Sequence, residues 1–213
     1  NWLYALLYAQ SNSPGVMHSP DFRLFSPGPL ESEYMYSANS WTNVAVETQL
    51  TPWRRKVETK LPPDANPRTR QLALDMRSTV DSDEEFVARV LEKFARESYA
   101  YTLRPGALGQ RHQIDQFMFQ TRRGFCEHYA SAFVYMMRAA GIPARVIAGY
   151  QGGEINPVNR TVIVHQFDAH AWAEVWLPNT GWKLVDPTAV ISPQRIEYGL
   201  EEAMASEGSF LAS

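Results

Sequence analysis

The chain has 213 residues, 45% of them hydrophobic, with 20 Lys and Arg against 23 Asp and Glu and a formal net charge of −3. It is long enough to bury a full core, and its charge balance offers no cationic field and no aromatic-interleaved basic patch for nucleic acid. One cysteine excludes an internal disulfide, and no phosphate-binding or dinucleotide glycine fingerprint is present.

The chain opens on Asn1 and reads as part of something longer. Its apolar start, NWLYALLYA, is too short to span a bilayer and lacks a charged n-region, so any membrane anchor is expected outside it. Residues 1–60 read as an extended or β arm. SPGVMHSP and SPGPL mark turns, and EYMYSA and WTNVAVETQL are strand-like. Leu61-Pro62-Pro63 reads as a linker into a domain over 61–192, and the polar stretch 193–213 as a tail.

Asn66 is placed to cap a helix with Pro67 at its first position, and Leu72, Met76 and Val80 form its apolar stripe. Ser82 and Glu85 have capping-box spacing for the next helix, whose face is Phe86, Val87, Val90, Leu91 and Phe94. DSDEE at its start lacks the spacing of a calcium loop and fits an acidic helix N-terminus. A third helix is expected from Cys126 to about Ala140, with Cys126, Ala130, Phe133, Met137 and Ala140 on one face and Gly141 and Pro143 ending it. Four strand candidates follow: ARVIAGY, TVIVHQF, AHAWAEVWL and GWKLVDPT. Helices followed by adjacent strands predict an α+β fold, with the Cys126 helix packed on an antiparallel sheet.

A lone cysteine is usually an inert core residue, but a helix N-terminus favours the thiolate. Such a nucleophile needs a base and an orienting acid. His170 and Asp186, on consecutive predicted strands, suit those roles. His128 projects about 200° around the helix from the thiol, and His165 reads equally well as a strand surface residue. His18 and His112 lie in loops. No pair of Cys or His has zinc-ligand spacing, so neither a metal nor another cofactor is expected. Trp172 and Trp176 share a strand face with His170 and are candidates for a substrate-binding wall, or equally for core aromatics.

Together, RRGFCEHYASAFVYMMRAAGIPARVIAGY, DAHAWAEVWLPNTGW and VDPT resemble the transglutaminase-like superfamily, most closely its bacterial membrane-anchored branch of the TgpA type. The resemblance implies a papain-like core and a Cys-His-Asp triad carried by Cys126, His170 and Asp186. It also implies a periplasmic domain of an inner-membrane protein, held by transmembrane segments outside this stretch. The activity expected is acyl transfer from a glutamine-like donor in a protein or peptide to an amine acceptor, through a thioester. A cysteine protease or amidase, and a non-catalytic binding or scaffolding domain, are the alternatives. Animal members carry an oxyanion-stabilising tryptophan before the cysteine; here none occurs between Trp53 and Trp172, which leaves the backbone N–H of Cys126 as one donor and the second unidentified.

The triad also makes a demand on register. A plain two-residue turn at Asn179-Thr180 would send Asp186 to the opposite sheet face from His170. One extra residue is needed, as a three-residue loop over 178–180 or a bulge at Gly181, and it would bring Asp186 opposite Trp172.

Overall fold

The computed structural model describes residues 1–193, and the chain divides between Glu47 and Thr48 into two units. The first holds β1 (Trp2–Leu3), β2 (Tyr8–Gln10), β3 (Met17–His18), β4 (Leu24–Phe25) and β5 (Asn39–Trp41). They form a three-stranded sheet in the order β1-β4-β3 and a β2-β5 ribbon over a small core of Leu3, Ala9 and Leu24. The expected strands at 33–38 and 41–50 are absent apart from Trp41. Their tyrosines anchor loops instead: Tyr34 Oη donates to the Pro14 carbonyl at 2.8 Å and Tyr36 Oη to that of Tyr4. The strands form partly in the apolar opening stretch.

The second unit starts before the expected linker, because Pro52–Glu58 is a helix, α1. Its signals stand in the sequence: the Thr51 hydroxyl accepts from Arg54 N–H at 3.2 Å, and proline occupies the first position. Arg138 ties this helix to the rest, reaching Glu58 at 3.2 Å, the Lys60 carbonyl at 3.1 Å and that of Ala144 at 2.7 Å. The boundary therefore falls at 47/48 rather than near 60.

Helices α2 (Pro67–Arg77) and α3 (Asp83–Arg96) follow as expected. Ser82 caps α3 by accepting from Glu85 N–H at 3.0 Å, while the Glu85 carboxylate reaches back to Asp81 N–H at 3.1 Å. Asn66 does not cap α2. It holds the left-handed conformation, φ 48°, and its Oδ1 accepts from the N–H groups of Ile114 and Asp115 at the start of α4 (Gln113–Gln116), a short helix that the sequence did not announce. Asp115 returns the service: its carboxylate accepts from Arg68 N–H, Thr69 N–H and the Thr69 hydroxyl at 3.1, 2.7 and 2.6 Å. Each helix is capped by the other.

A π-helical turn (Phe117–Thr121) leads on to β7 (Arg123–Gly124), which pairs in parallel with β6 (Ala100–Tyr101). The central helix α5 (Cys126–Ala139) packs on a three-stranded antiparallel sheet. Its members are β8 (Ala144–Tyr150), β11 (Ala169–Leu177) and β12 (Gly181–Val185), in the order β12-β11-β8. The TVIVHQF candidate is not a member of it. Val162–Ile163, β10, pairs only with β9 (Glu154–Ile155) in a separate hairpin, and His165 lies in a turn, donating its N–H to Asp168. Ala171, Ala173, Val175 and Leu177 bury one face of β11; all but Ala171 join a core with Phe86, Phe94, Tyr129, Phe133 and Met137.

The β11–β12 ladder closes at Leu177↔Gly181 and runs to Ala173↔Val185. The turn is the three-residue loop 178–180, with positive φ at Asn179 (64°) and at Gly181 (81°), where glycine is the natural occupant. The next pair along this ladder would set Asp186 against Trp172, on the face of His170.

The crossed caps make a stability prediction. Asp115→Ala strips two backbone donors and a hydroxyl of their buried acceptor. It should lower unfolding stability by about 1–3 kcal/mol, read as a fall in the urea midpoint. Asn66→Ala should give a similar loss, and the double variant less than the sum.

Candidate active site

The residue before α5 is Phe125, extended at φ −113° and without a side-chain acceptor. The first-turn N–H groups therefore meet no conventional cap. His128 closes the turn in another way. Its N–H donates to the Phe125 carbonyl at 2.9 Å, and its Nδ1 accepts a long bond from Phe125 N–H at 3.4 Å. The ring lies edge-on to Phe125 at 4.6 Å and against Phe117 at 5.5 Å. Burial lowers its pKa against the pull of Glu127, which keeps it neutral and able to accept at pH 7. Sequence reasoning set His128 aside because it points away from the thiol; it clamps the turn that presents the thiol.

Cys126 is 9% exposed and clusters with Ala130, Ala171 and Phe125. Ala171 neighbours His170, whose side chain is 0% exposed. His170 Nε2 meets Asp186 Oδ2 at 2.7 Å. The other carboxylate oxygen, Oδ1, accepts from Thr188 N–H at 2.9 Å at the head of a 3₁₀ turn, Pro187–Val190. Nε2 thus carries its hydrogen toward the carboxylate. Nδ1 is buried and has no standard hydrogen-bond partner among the described residues. The Cys126 thiol and the His170 imidazole each act on the other's acidity.

Burial acts against charge on both partners, and their neighbours act for it by more. For Cys126, burial pushes the pKa up, but His170 and the backbone bonds from Ala171 and Glu127 bring it below the ordinary thiol value. For His170, burial pushes the pKa down, but Asp186 and Cys126 raise it above the ordinary imidazole value. Opposite shifts on two facing groups favour a thiolate–imidazolium pair.

Of the remaining candidates, only one lies beside the imidazole. Trp172 stacks on His170 with centroids 6.0 Å away and planes at 29°. Trp176 is not brought to the thiol: it sits roughly 20 Å further along β11, buried under the Arg55 guanidinium at 5.0 Å, so a shared strand face did not make a shared site. His18 accepts from Ser11 N–H and His112 from Asn66 N–H, both as structural acceptors. Among the described residues, no group of three His, Cys, Asp or Glu side chains is arranged to hold a metal ion.

The family model of the transglutaminase-like superfamily matches residues 70–187, which is more than half of the chain and spans all three residues. The chain belongs to the transglutaminase-like superfamily. It is 46% identical over 211 residues to a protein-glutamine gamma-glutamyltransferase of Pseudomonas aeruginosa, covering 99% of this chain and 31% of that protein. It is 32% identical over 133 residues to the uncharacterised protein YebA of Bacillus subtilis, covering 59% of this chain and 18% of that one. The chain thus spans less than a third of either relative. The crystal structure of the periplasmic domain of TgpA from Pseudomonas aeruginosa superposes with a TM-score of 0.90 at 46% identity, covering 94% of this chain and 69% of that one. The fold expected from the sequence, a helix bearing the cysteine on an antiparallel sheet, is thus that of a transglutaminase-like domain.

The paired shifts predict how the thiol responds to pH. Iodoacetamide labelling of Cys126 should rise with an inflection below the free-thiol value of roughly 8.5. In His170→Ala, the inflection should move up, because burial is then opposed only by the backbone bonds from Ala171 and Glu127.

Proposed function

We propose that this domain is a cysteine acyltransferase of the transglutaminase type, acting on the γ-carboxamide of glutamine in a protein or peptide. The observation that carries this reading is the buried contact of His170 with Asp186 at 2.7 Å, together with opposite pKa shifts on the Cys126 thiol and the imidazole. The name of the Pseudomonas relative supplies the substrate class. On the same ground we place the domain in the periplasm, as with the relative's domain, and its membrane attachment in segments outside this chain.

In this mechanism the Cys126 thiolate attacks the carboxamide carbon, and the carbonyl oxygen takes the negative charge. The Cys126 N–H at the uncapped start of α5 is a donor for that oxygen. His170, protonated at Nδ1, gives its proton to the leaving nitrogen. Ammonia departs and a thioester remains. A primary amine then enters, loses a proton to Nδ1 and attacks the thioester carbon. The new amide leaves as the thiolate and imidazolium are restored. Asp186 holds the imidazole with Nε2–H inward throughout. Water in place of the amine would give deamidation by the same steps.

Mass spectrometry of the chain with a glutamine-donor peptide and a primary amine tests the reading. The expected product carries the amine in place of ammonia; deamidation alone would reassign the domain to hydrolysis, and no product with reactive Cys126 would overturn the proposal. Cys126→Ala should abolish the product.

Asp186→Asn separates orientation from folding. The amide oxygen can still accept from Thr188 N–H, so the 3₁₀ turn should survive. Its NH₂ would face Nε2, however, and favour the wrong tautomer. Turnover should fall by about 10²-fold or more, with an unchanged thermal transition. Wild-type turnover in this variant would remove Asp186 from the mechanism.

A further inference from the structure

Gly149 lies in β8 directly across from His170. A methyl group at that position would stand 2.7 Å from Cη2 of Trp172, with Cζ3 and Cζ2 at 3.4 and 3.6 Å. All three atoms belong to the six-membered ring of the indole. The same indole stacks on the His170 imidazole, a side chain with no exposed surface. Its own Nε1 is buried and has no hydrogen-bond partner among the described residues. No polar bond within the described fold therefore holds the indole in place. Glycine leaves room for it at one contact, and the imidazole receives it at another.

We infer that Trp172 is a positioning residue for His170, and that Gly149 is the seat that lets it take that position. The indole, laid over Gly149, backs the imidazole so that Nε2 meets Asp186 while Nδ1 stays turned to Cys126. This role rests on the reading of Cys126, His170 and Asp186 given above, and it works through His170 rather than through contact with substrate. It accounts for a glycine paired within a strand ladder, where the residue otherwise weakens it. It accounts as well for a tryptophan whose N–H is left unpaired: the reach of the second ring is what the site uses. A phenylalanine would not extend to Gly149.

The geometry sets the size of the effect. A methyl at 149 forces the indole to withdraw by roughly 1 Å to regain ordinary carbon–carbon contact, and a displacement of that order in a reacting group costs up to about 10²-fold. Two readouts report on His170 without requiring acyl transfer. One is the iodoacetamide labelling rate of Cys126 at pH 6–7. The other is the downfield proton resonance of an imidazole N–H bonded to a carboxylate. Gly149→Ala should slow labelling by about 10- to 100-fold and shift or broaden that resonance. In a Trp172→Phe background, which lacks Cη2, Cζ2 and Cζ3, the same Gly149→Ala change should alter labelling by less than about twofold. Trp172→Ala should broaden the resonance as water reaches the imidazole, and this comparison carries the test alone if Gly149→Ala does not fold. Equal losses from Gly149→Ala in both backgrounds would overturn the inference, as would wild-type labelling and resonance in Trp172→Ala. Because neither readout involves a donor peptide, failure of glutamine transfer with these couplings intact would reject the proposed activity and leave the positioning role standing.

Discussion

The number of residues in one turn governs this domain. With three residues at 178–180, Leu177 meets Gly181, and the carboxylate that follows β12 arrives on the same face of the sheet as His170. Two residues would place it on the other face, with no means of reaching the imidazole. The same strand serves two purposes that fix each other. Its odd-numbered residues from Ala171 to Leu177 are buried under α5, and its even-numbered residues carry His170, the indole beside it and the Glu174 partner of Arg145. A slip of one position would drive Glu174 and Trp172 into the apolar core, so the hydrophobic pattern protects the register that the site requires.

The site is an exercise in opposing terms. Taking a thiol and an imidazole out of water raises the first pKa and lowers the second, so burial alone would leave a neutral, unreactive pair. Here each partner supplies the charge that the other needs, Asp186 supports the imidazole from behind, and backbone donors at Ala171 and Glu127 support the sulfur. The start of α5 contributes by what it lacks: Phe125 offers no acceptor, so the donors of the first turn are not consumed by a cap. His128 fixes the turn with its own backbone and ring.

The parts legible in the sequence were those fixed by strong local periodicity. The Cys126 helix, the Phe86–Phe94 face and the strands that begin beside His170 and lead to Asp186 have patterns that leave little choice, and parity alone required an irregular turn at 178–180. What escaped was set by distant partners. Asn66 has the composition of a local cap but serves Ile114 and Asp115, and nothing nearby in sequence announces that. His165 alternates well enough for a strand but was captured by Asp168 in a turn. The helix at Pro52–Glu58 carried a legible Thr-Pro signal, which was obscured by the strand-like composition before it. Trp176 shared a face with His170, yet sharing a face says nothing about distance along a strand.

The crossed capping of α2 and α4 also bears on how the chain assembles. Neither α2, with 11 residues, nor α4, with four, is long enough to persist alone in water, and the groups that end each of them lie more than forty residues away. A nascent chain released before Asp115 would therefore hold α2 with its leading donors unanswered, and α4 would be no better without Asn66. Both ends are satisfied in one event, when the intervening loop closes over α3. Order in this part of the domain is therefore collective, arriving with long-range closure and departing with it, and a proteolytic cut anywhere within that loop would loosen both helices even with every side chain of the site still present.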